Sequence, residues 1–177
     1  MRQAVRVAVV GVGHLGSRHA QIYAAMPGVR LAAVCDRDPR RAAEAAEGVD
    51  CRTVTDYREL LGEVEAVSLA VPTTLHGPIG LALLRSGIHL LIEKPIATTL
   101  AEANTLIRTA RRQRCVLQVG HVERFNAAIH AALQHLKHPR FIEVHRLSPY
   151  PSRGTDVSVV LDVMIHDLDL LLALVRS

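Results

Sequence analysis

Apolar runs of strand length recur along the chain, each followed by a stretch of helical period. The runs are VRVAVV (5–10), RLAAVC (30–35), CRTV (51–54), AVSLAV (66–71), IHLLIE (88–93) and CVLQVG (115–120). Most are continuous rather than alternating, the pattern of strands buried on both faces. The segments between them carry helix signals. The first helix runs from the glycines after residue 10 to about Met26, where Pro27-Gly28 stops it, with Leu15, His19, Ile22 and Met26 on its predicted inner stripe. Asp38-Pro39 reads as an N-cap with proline at the first helical position, opening a helix that closes at Gly48. Asp56 with Glu59, and Thr99 with Glu102, have capping-box spacing. A further helix ends at Gly87.

Strands separated by helices predict an α/β fold, a Rossmann-type doubly wound parallel sheet with helices on both faces, over residues 1–120. Ligands bind such sheets beyond the carboxyl ends of the strands. The pattern then changes. ERFNAAIHAALQHL predicts a helix with Ile129, Leu133 and Leu136 on one stripe, and RFIEVHRL (140–147) alternates like a strand with one wet face. The Pro/Ser/Gly-rich SPYPSRGT precedes a closing helix around LDVMIHDLDL (161–170). Residues 121–177 thus read as the start of a second, α+β domain with too few strands for a sheet of its own.

The bulk numbers narrow the function. With 177 residues, 49% hydrophobic and 21% charged, the chain can bury a core. No apolar run reaches the length of a membrane span. The N-terminus has a charged start and a short apolar run, but the run breaks into glycines rather than a cleavage site, so it reads as a first strand of a cytoplasmic protein. Cys35, Cys51 and Cys115 form no C-x-x-C pair and lie in or beside predicted strands, as small buried hydrophobes do. The net charge of +4 is spread out apart from RTARRQR (108–114), and aromatics make up 3% of residues. Few stacking platforms argue against nucleic acid, and an anionic small molecule explains the charge equally well.

VVGVGHLG supplies Gly11-x-Gly13-x-x-Gly16 between the first strand and first helix. In that context Gly11 permits the tight turn, Gly13 lets the backbone approach a pyrophosphate, and Gly16 lets helix and strand pack closely. His14 and Leu15, on the helix that follows, join them as cofactor-binding candidates. Asp36 ends the second strand 20 residues beyond Gly16. Its carboxylate suits ribose hydroxyls and repels a 2′-phosphate, favouring NAD over NADP, although the neighbouring Arg37 is a residue that accommodates such a phosphate. His19 reads as a packed, hydrogen-bonded histidine. Three segments follow later strands: AVPTTLH with Val71, Pro72, Thr73 and His76; IEKP with Glu93, Lys94 and Pro95; and QVGHVERFN with His121, Arg124 and Asn126.

With DVMIHDLD, in which Asp162, His166 and Asp169 share a helix face, these motifs resemble the glucose-fructose oxidoreductase/inositol dehydrogenase (Gfo/Idh/MocA) family. GVGHLGSRHA, EKP and D-x-x-x-H-D-x-D carry the resemblance, which spans essentially the whole chain. It implies an NAD(P)-dependent sugar or polyol dehydrogenase in which Lys94, Asp162 and His166 line the substrate pocket by the nicotinamide. It also puts Val71, Pro72, Thr73, His76, Glu93 and Lys94 at the cofactor, and His121, Arg124 and Asn126 at the substrate. Histidine suits the general base, lysine the stabilisation of a developing alkoxide. Asp162 would bind a neighbouring hydroxyl or tune the imidazole. Asp and His four apart can ligate a metal, but no further ligand cluster accompanies them, so none is expected. Asp167 points off the shared face and reads as structural or solvated.

The later segments look most like members acting on nucleotide sugars, in particular UDP-N-acetylglucosamine 3-dehydrogenases, with Arg124, Arg146 and Arg153 available to a diphosphate. A dehydrogenase of a free polyol and a non-catalytic NAD-binding fragment stay open. Such a family's second domain continues past this helix into a large open sheet, so 121–177 is expected to be its incomplete beginning. Leu170, Leu171, Leu172, Leu174 and Val175 would then be exposed, which favours a homo-oligomer.

Overall fold

The computed structural model describes residues 3–136, 139–147 and 158–175. It divides into two compact units, Met1–Val119 and Gly120–Ser177.

In the first unit six parallel strands form one sheet: β1 (Val5–Val10), β2 (Val29–Cys35), β3 (Arg52–Val54), β4 (Ala66–Leu69), β5 (His89–Ile92) and β6 (Leu117–Val119). Their order is β3-β2-β1-β4-β5-β6, so the strand order reverses between β1 and β4. The helices are α1 (His14–Ala25), α2 (Pro39–Ala46), α3 (His76–Arg85) and α4 (Leu100–Gln113). The continuous apolar strands have the expected cause. Alternate residues of β1 enter different cores: Val7 and Val9 pack with Ala20 of α1, Ala8 and Val10 with Leu83 and Leu84 of α3 and Leu106 of α4. Each fully buried leucine contributes about 1.5–3 kcal/mol.

The buried face of α1 differs from the predicted stripe. Gly16 and Ala20 are its buried residues, whereas Leu15, Ile22 and Met26 are exposed. The helix lies so close to β1 that only small side chains fit beneath it, and proximity overrides hydrophobic periodicity. The caps are mixed. Asp38 accepts from the Arg40 amide and Pro39 opens α2 as expected. Asp56 accepts from the Arg58 amide, but only a 3₁₀ turn, Tyr57–Leu60, follows. Thr99 accepts from the Glu102 amide, while the Glu102 carboxylate turns to the Thr98 amide and hydroxyl at 3.2 and 2.5 Å. That box closes one residue earlier than the spacing predicts.

The second unit holds a 3₁₀ turn (Val122–Phe125), α5 (Ala127–His135), a π-helical turn (Val160–Met164) and α6 (Ile165–Leu174). The 122–135 stretch is therefore two elements, with Asn126 between them as N-cap: its side chain accepts from the Ala128 amide. Residues 141–147 are not a strand. An alternating sequence becomes a strand only in a ladder, and no neighbouring strand exists for it among the described residues; Phe141 and Leu147 are exposed. SPYPSRGT lies outside the described residues. No helix among the described residues is long and apolar enough to cross a membrane.

Leu106 anchors α4 and faces Gly80 of α3, where an added Cβ would stand 3.0 Å from a Leu106 methyl. Leu106→Ala is expected to destabilise the first unit by about 2–5 kcal/mol, read as a lower midpoint in urea denaturation with an unchanged slope.

Candidate functional site

The first unit builds its site at the carboxyl ends of β1, β2, β4 and β5. β1 runs into the glycine loop. Gly11 has φ +84°, and a Cβ there would meet the Ala70 carbonyl oxygen at 2.7 Å. A Cβ on Gly16 would overlap the Gly11 carbonyl oxygen, whereas one on Gly13 would meet nothing within 4 Å. Two glycines are thus required by the protein's own packing, and the third leaves open space beside the backbone. No side chain caps α1, so its first-turn amides and dipole face outward, the arrangement that receives a phosphate. Ser17 pins the loop by donating its hydroxyl to the Val12 carbonyl at 2.9 Å.

Asp36, at the end of β2, accepts from the Val12 amide at 3.0 Å through one carboxylate oxygen and from the Asp38 amide at 3.0 Å through the other. It ties the glycine loop to β2. Each oxygen retains a lone pair, so the same carboxylate can accept from ribose hydroxyls, and its fixed charge opposes a phosphate there. Arg37 is exposed. Burial, then the charge of Asp36, pushes the neighbouring Cys35 thiol up to about 12, an inert thiol at neutral pH.

The loops after β4 and β5 are joined by His76. It is 1% exposed, with Nδ1 2.8 Å from the Pro95 carbonyl oxygen and Nε2 2.9 Å from that of Val71. Thr73 is buried, Pro72 is exposed, and His14 and Leu15 are exposed at the start of α1. Below the E-K-P turn lies a second histidine link. Nε2 of His19 is 3.3 Å from the Glu93 carboxylate, and Nδ1 is 2.6 Å from the Ser68 hydroxyl. Nε2 donates toward Glu93, and the Ser68 hydroxyl, donor and acceptor in one, satisfies Nδ1. The other Glu93 oxygen accepts from the Lys94 amide at 3.3 Å. Burial opposes ionisation of Glu93, but the hydrogen bond and charge of His19, with Lys94 behind them, outweigh it and hold the carboxyl below its usual range. His19 is therefore a packed histidine, as expected; that it orients the E-K-P glutamate was not legible from spacing.

In the second unit the arginines face acids of the closing helix. Arg124 forms a fork to Asp169, Nε to one oxygen at 2.6 Å and an Nη to the other at 2.7 Å. Arg146 holds Asp167 at 2.7–3.2 Å and lies 3.7 Å from Glu123, which makes Asp167 structural. Asn126 donates to Glu123 at 3.0 Å besides capping α5. Arg153 lies outside the described residues. His121 Nε2 stands 3.9 Å from Asp169. Asp162 occupies the π-helical turn and His166 the first turn of α6, both half-buried. The wider π turn, a feature frequent at functional sites, has no signature in the apolar periodicity. Asp169, absent from the site expected from sequence, already shared a predicted face with His166; its spacing was the available signal.

A family profile described as "Oxidoreductase family, NAD-binding Rossmann fold" matches residues 5–121. The chain belongs to the Gfo/Idh/MocA family. Its first unit is an NAD-binding Rossmann domain. The UDP-N-acetylglucosamine 3-dehydrogenase of Acidithiobacillus ferrooxidans is 43% identical over 175 residues, covering 96% of this chain and 54% of that protein. A crystal form of that enzyme, GnnA, superposes with a TM-score of 0.89 at 42% identity, over 98% of this chain and 57% of the other. Inositol 2-dehydrogenase 4 of Saccharopolyspora erythraea is 33% identical over 93% of this chain and 52% of its own. GenD2 of gentamicin A biosynthesis, solved with NAD, has a TM-score of 0.73 at 31% identity, over 76% and 39% of the two chains. This Gfo/Idh/MocA chain spans about half the length of the curated relatives it matches.

Two outcomes follow for the Gfo/Idh/MocA cofactor domain. Gly16→Val is expected to abolish the rise in melting temperature that NAD produces in the parent chain, because α1 can no longer dock on β1; thermal shift with and without NAD checks it. Glu93 ionises more readily folded than unfolded, so its contribution to stability is present above the unfolded glutamate range and is lost as pH falls through the lowered folded value. The stability gap between the parent and Glu93→Gln is therefore expected to be largest near neutrality and to close in acid, measured by urea unfolding across pH.

Proposed function

We propose that the chain carries the cofactor half and part of the substrate half of an NAD-dependent nucleotide-sugar dehydrogenase, one that oxidises the C3 hydroxyl of UDP-N-acetylglucosamine. The observation that carries the proposal is the 43% identity to a UDP-N-acetylglucosamine 3-dehydrogenase over 96% of the chain, with the fingerprint and D-x-x-x-H-D-x-D motifs intact. The residues fit NAD. Gly13 leaves open space, α1 offers uncapped amides, and Asp36, held at the end of β2 by two backbone donors, is assigned to the ribose hydroxyls. Val71, Pro72, Thr73 and the E-K-P turn border the same end of the sheet, with His76 holding their loops together. When bound, NAD supplies the hydride acceptor.

The chain's own residues supply proton control and alkoxide stabilisation. His166 takes the hydroxyl proton onto its imidazole as the C3 hydrogen leaves with its electron pair, a role worth about 10²–10⁴-fold in rate. The Lys94 ammonium stabilises charge developing on the oxygen. Asp162 accepts from a neighbouring hydroxyl or tunes the imidazole. His121 and Asn126 are assigned to the sugar. Arg124 and Arg146 spend their forks on Asp169 and Asp167, which supports an organising role for both rather than direct capture of the diphosphate.

The similarity to inositol 2-dehydrogenases favours a free polyol as the second reading. A turnover screen with NAD separates them. Reduced nicotinamide is expected with UDP-N-acetylglucosamine; turnover with a polyol alone moves the substrate, and turnover with neither leaves an NAD-binding unit without catalysis. Lys94→Ala and His166→Ala are each expected to lower oxidation at least about 10²-fold while NAD affinity stays near the parent's.

A further inference from the structure

A buried chain of polar side chains supports the E-K-P turn and begins on the helix that opens at the glycine loop. His19 lies on α1, Ser68 in β4, and Glu93 just after β5. Ser68 is 1% and Glu93 7% exposed. Nδ1 of His19 is 2.6 Å from the Ser68 hydroxyl, and Nε2 is 3.3 Å from one Glu93 oxygen. The other Glu93 oxygen accepts from the Lys94 amide at 3.3 Å. Serine, histidine and an acid in contact are also the residue types of a nucleophilic triad, but burial closes the Ser68 hydroxyl to any substrate. Polar side chains go this deep only when paired, and here the pairing runs in one line. The line ends on the backbone of a lysine.

We propose that His19 is a positioning residue for Lys94. Ser68 fixes the imidazole, the imidazole fixes one oxygen of Glu93, and the other oxygen fixes the amide of Lys94. The catalytic meaning of this rests on the assignment of Lys94 to the developing alkoxide; the contacts themselves do not. Because Glu93 is held at one oxygen by α1, the place of its second oxygen follows the place of that helix. Helix α1 is in turn set on β1 by the close approach at Gly16. The contact that shapes the glycine loop therefore also places the lysine. Beyond Lys94 the turn is held separately, by Nδ1 of His76 at the start of α3, 2.8 Å from the Pro95 carbonyl oxygen. Support on both sides suits a catalytic ammonium, since a misplacement of about 1 Å can cost on the order of 10²-fold in rate.

The test follows hydrogen exchange of the Lys94 amide by NMR in the full 177-residue chain, beside turnover. His19→Asn keeps a polar group toward Ser68 but is too short to reach Glu93, whereas His19→Gln carries an amide nitrogen to the Nε2 position. In His19→Asn the Lys94 amide is expected to exchange about tenfold faster, with the Leu90 amide of β5 unchanged. His19→Gln is expected to return it to near the parent rate. With NAD and UDP-N-acetylglucosamine, kcat is expected to fall at least about tenfold in His19→Asn while NAD affinity stays near the parent's. In a Lys94→Ala background the same change is expected to cost nothing further. An unmoved Lys94 amide, a rise shared with Leu90, no recovery in His19→Gln, or equal losses of kcat with and without Lys94 would overturn the proposal. If His19→Asn does not fold, Ser68→Ala decides: it frees the ring, so the Lys94 amide is expected to quicken, and an unchanged rate overturns the proposal. Faster exchange without turnover of any sugar would overturn the assigned reaction while upholding His19; turnover with exchange unmoved would overturn His19 alone.

Discussion

The cofactor half depends on a backbone contact that tolerates no side chain. Helix α1 begins so close to the end of β1 that a Cβ at Gly16 would overlap the Gly11 carbonyl oxygen. This docking aims the uncapped start of α1 along the switch between β1 and β4. It also decides what lies under the helix, so that Gly16 and Ala20 are buried while the bulkier Leu15 and Ile22 are turned outward. The Asp36 carboxylate then locks the loop from the β2 side through the Val12 amide. Each piece is local, and together they set an uncapped helix start and an acid at the ends of adjacent strands, the arrangement of a dinucleotide fingerprint.

Charge in this protein is organised by histidines and arginines reaching between loops. His76 joins the carbonyls of Val71 and Pro95, and His19 orients Glu93 from beneath. In the second unit, Arg124 and Arg146 each take an acid of α6. Such contacts are worth little on an open surface, but several here are shielded by burial. Their effect is to fix the side chains and backbone around the residues proposed to do chemistry.

The sheet was legible because its strands are buried on both faces and read as apolar runs. The fingerprint, Asp36 and the Asp38-Pro39 cap were legible because each is a local pattern with one physical meaning. What spacing alone missed was tertiary. The buried face of α1 is chosen by clearance to β1, not by periodicity. The Asp56 signal opens only a 3₁₀ turn, and the Glu102 carboxylate satisfies Thr98 rather than Thr99. Residues 140–147 alternate but find no ladder among the described residues. The π turn at Asp162 and the Arg124–Asp169 fork, 45 residues apart, depend on contacts that no window of sequence contains. Candidate chemistry was therefore easier to read from the sequence than the residues that hold it in place.

The central claim is that the first unit is built to bind NAD through Gly13, the start of α1 and Asp36. Calorimetric titration of the chain with NAD and, separately, with NADP tests it most directly. The account predicts saturable binding of one NAD per chain, with NADP at least about tenfold weaker, a difference of about 1.4 kcal/mol. Absence of NAD binding, or equal affinity for the two, would contradict it.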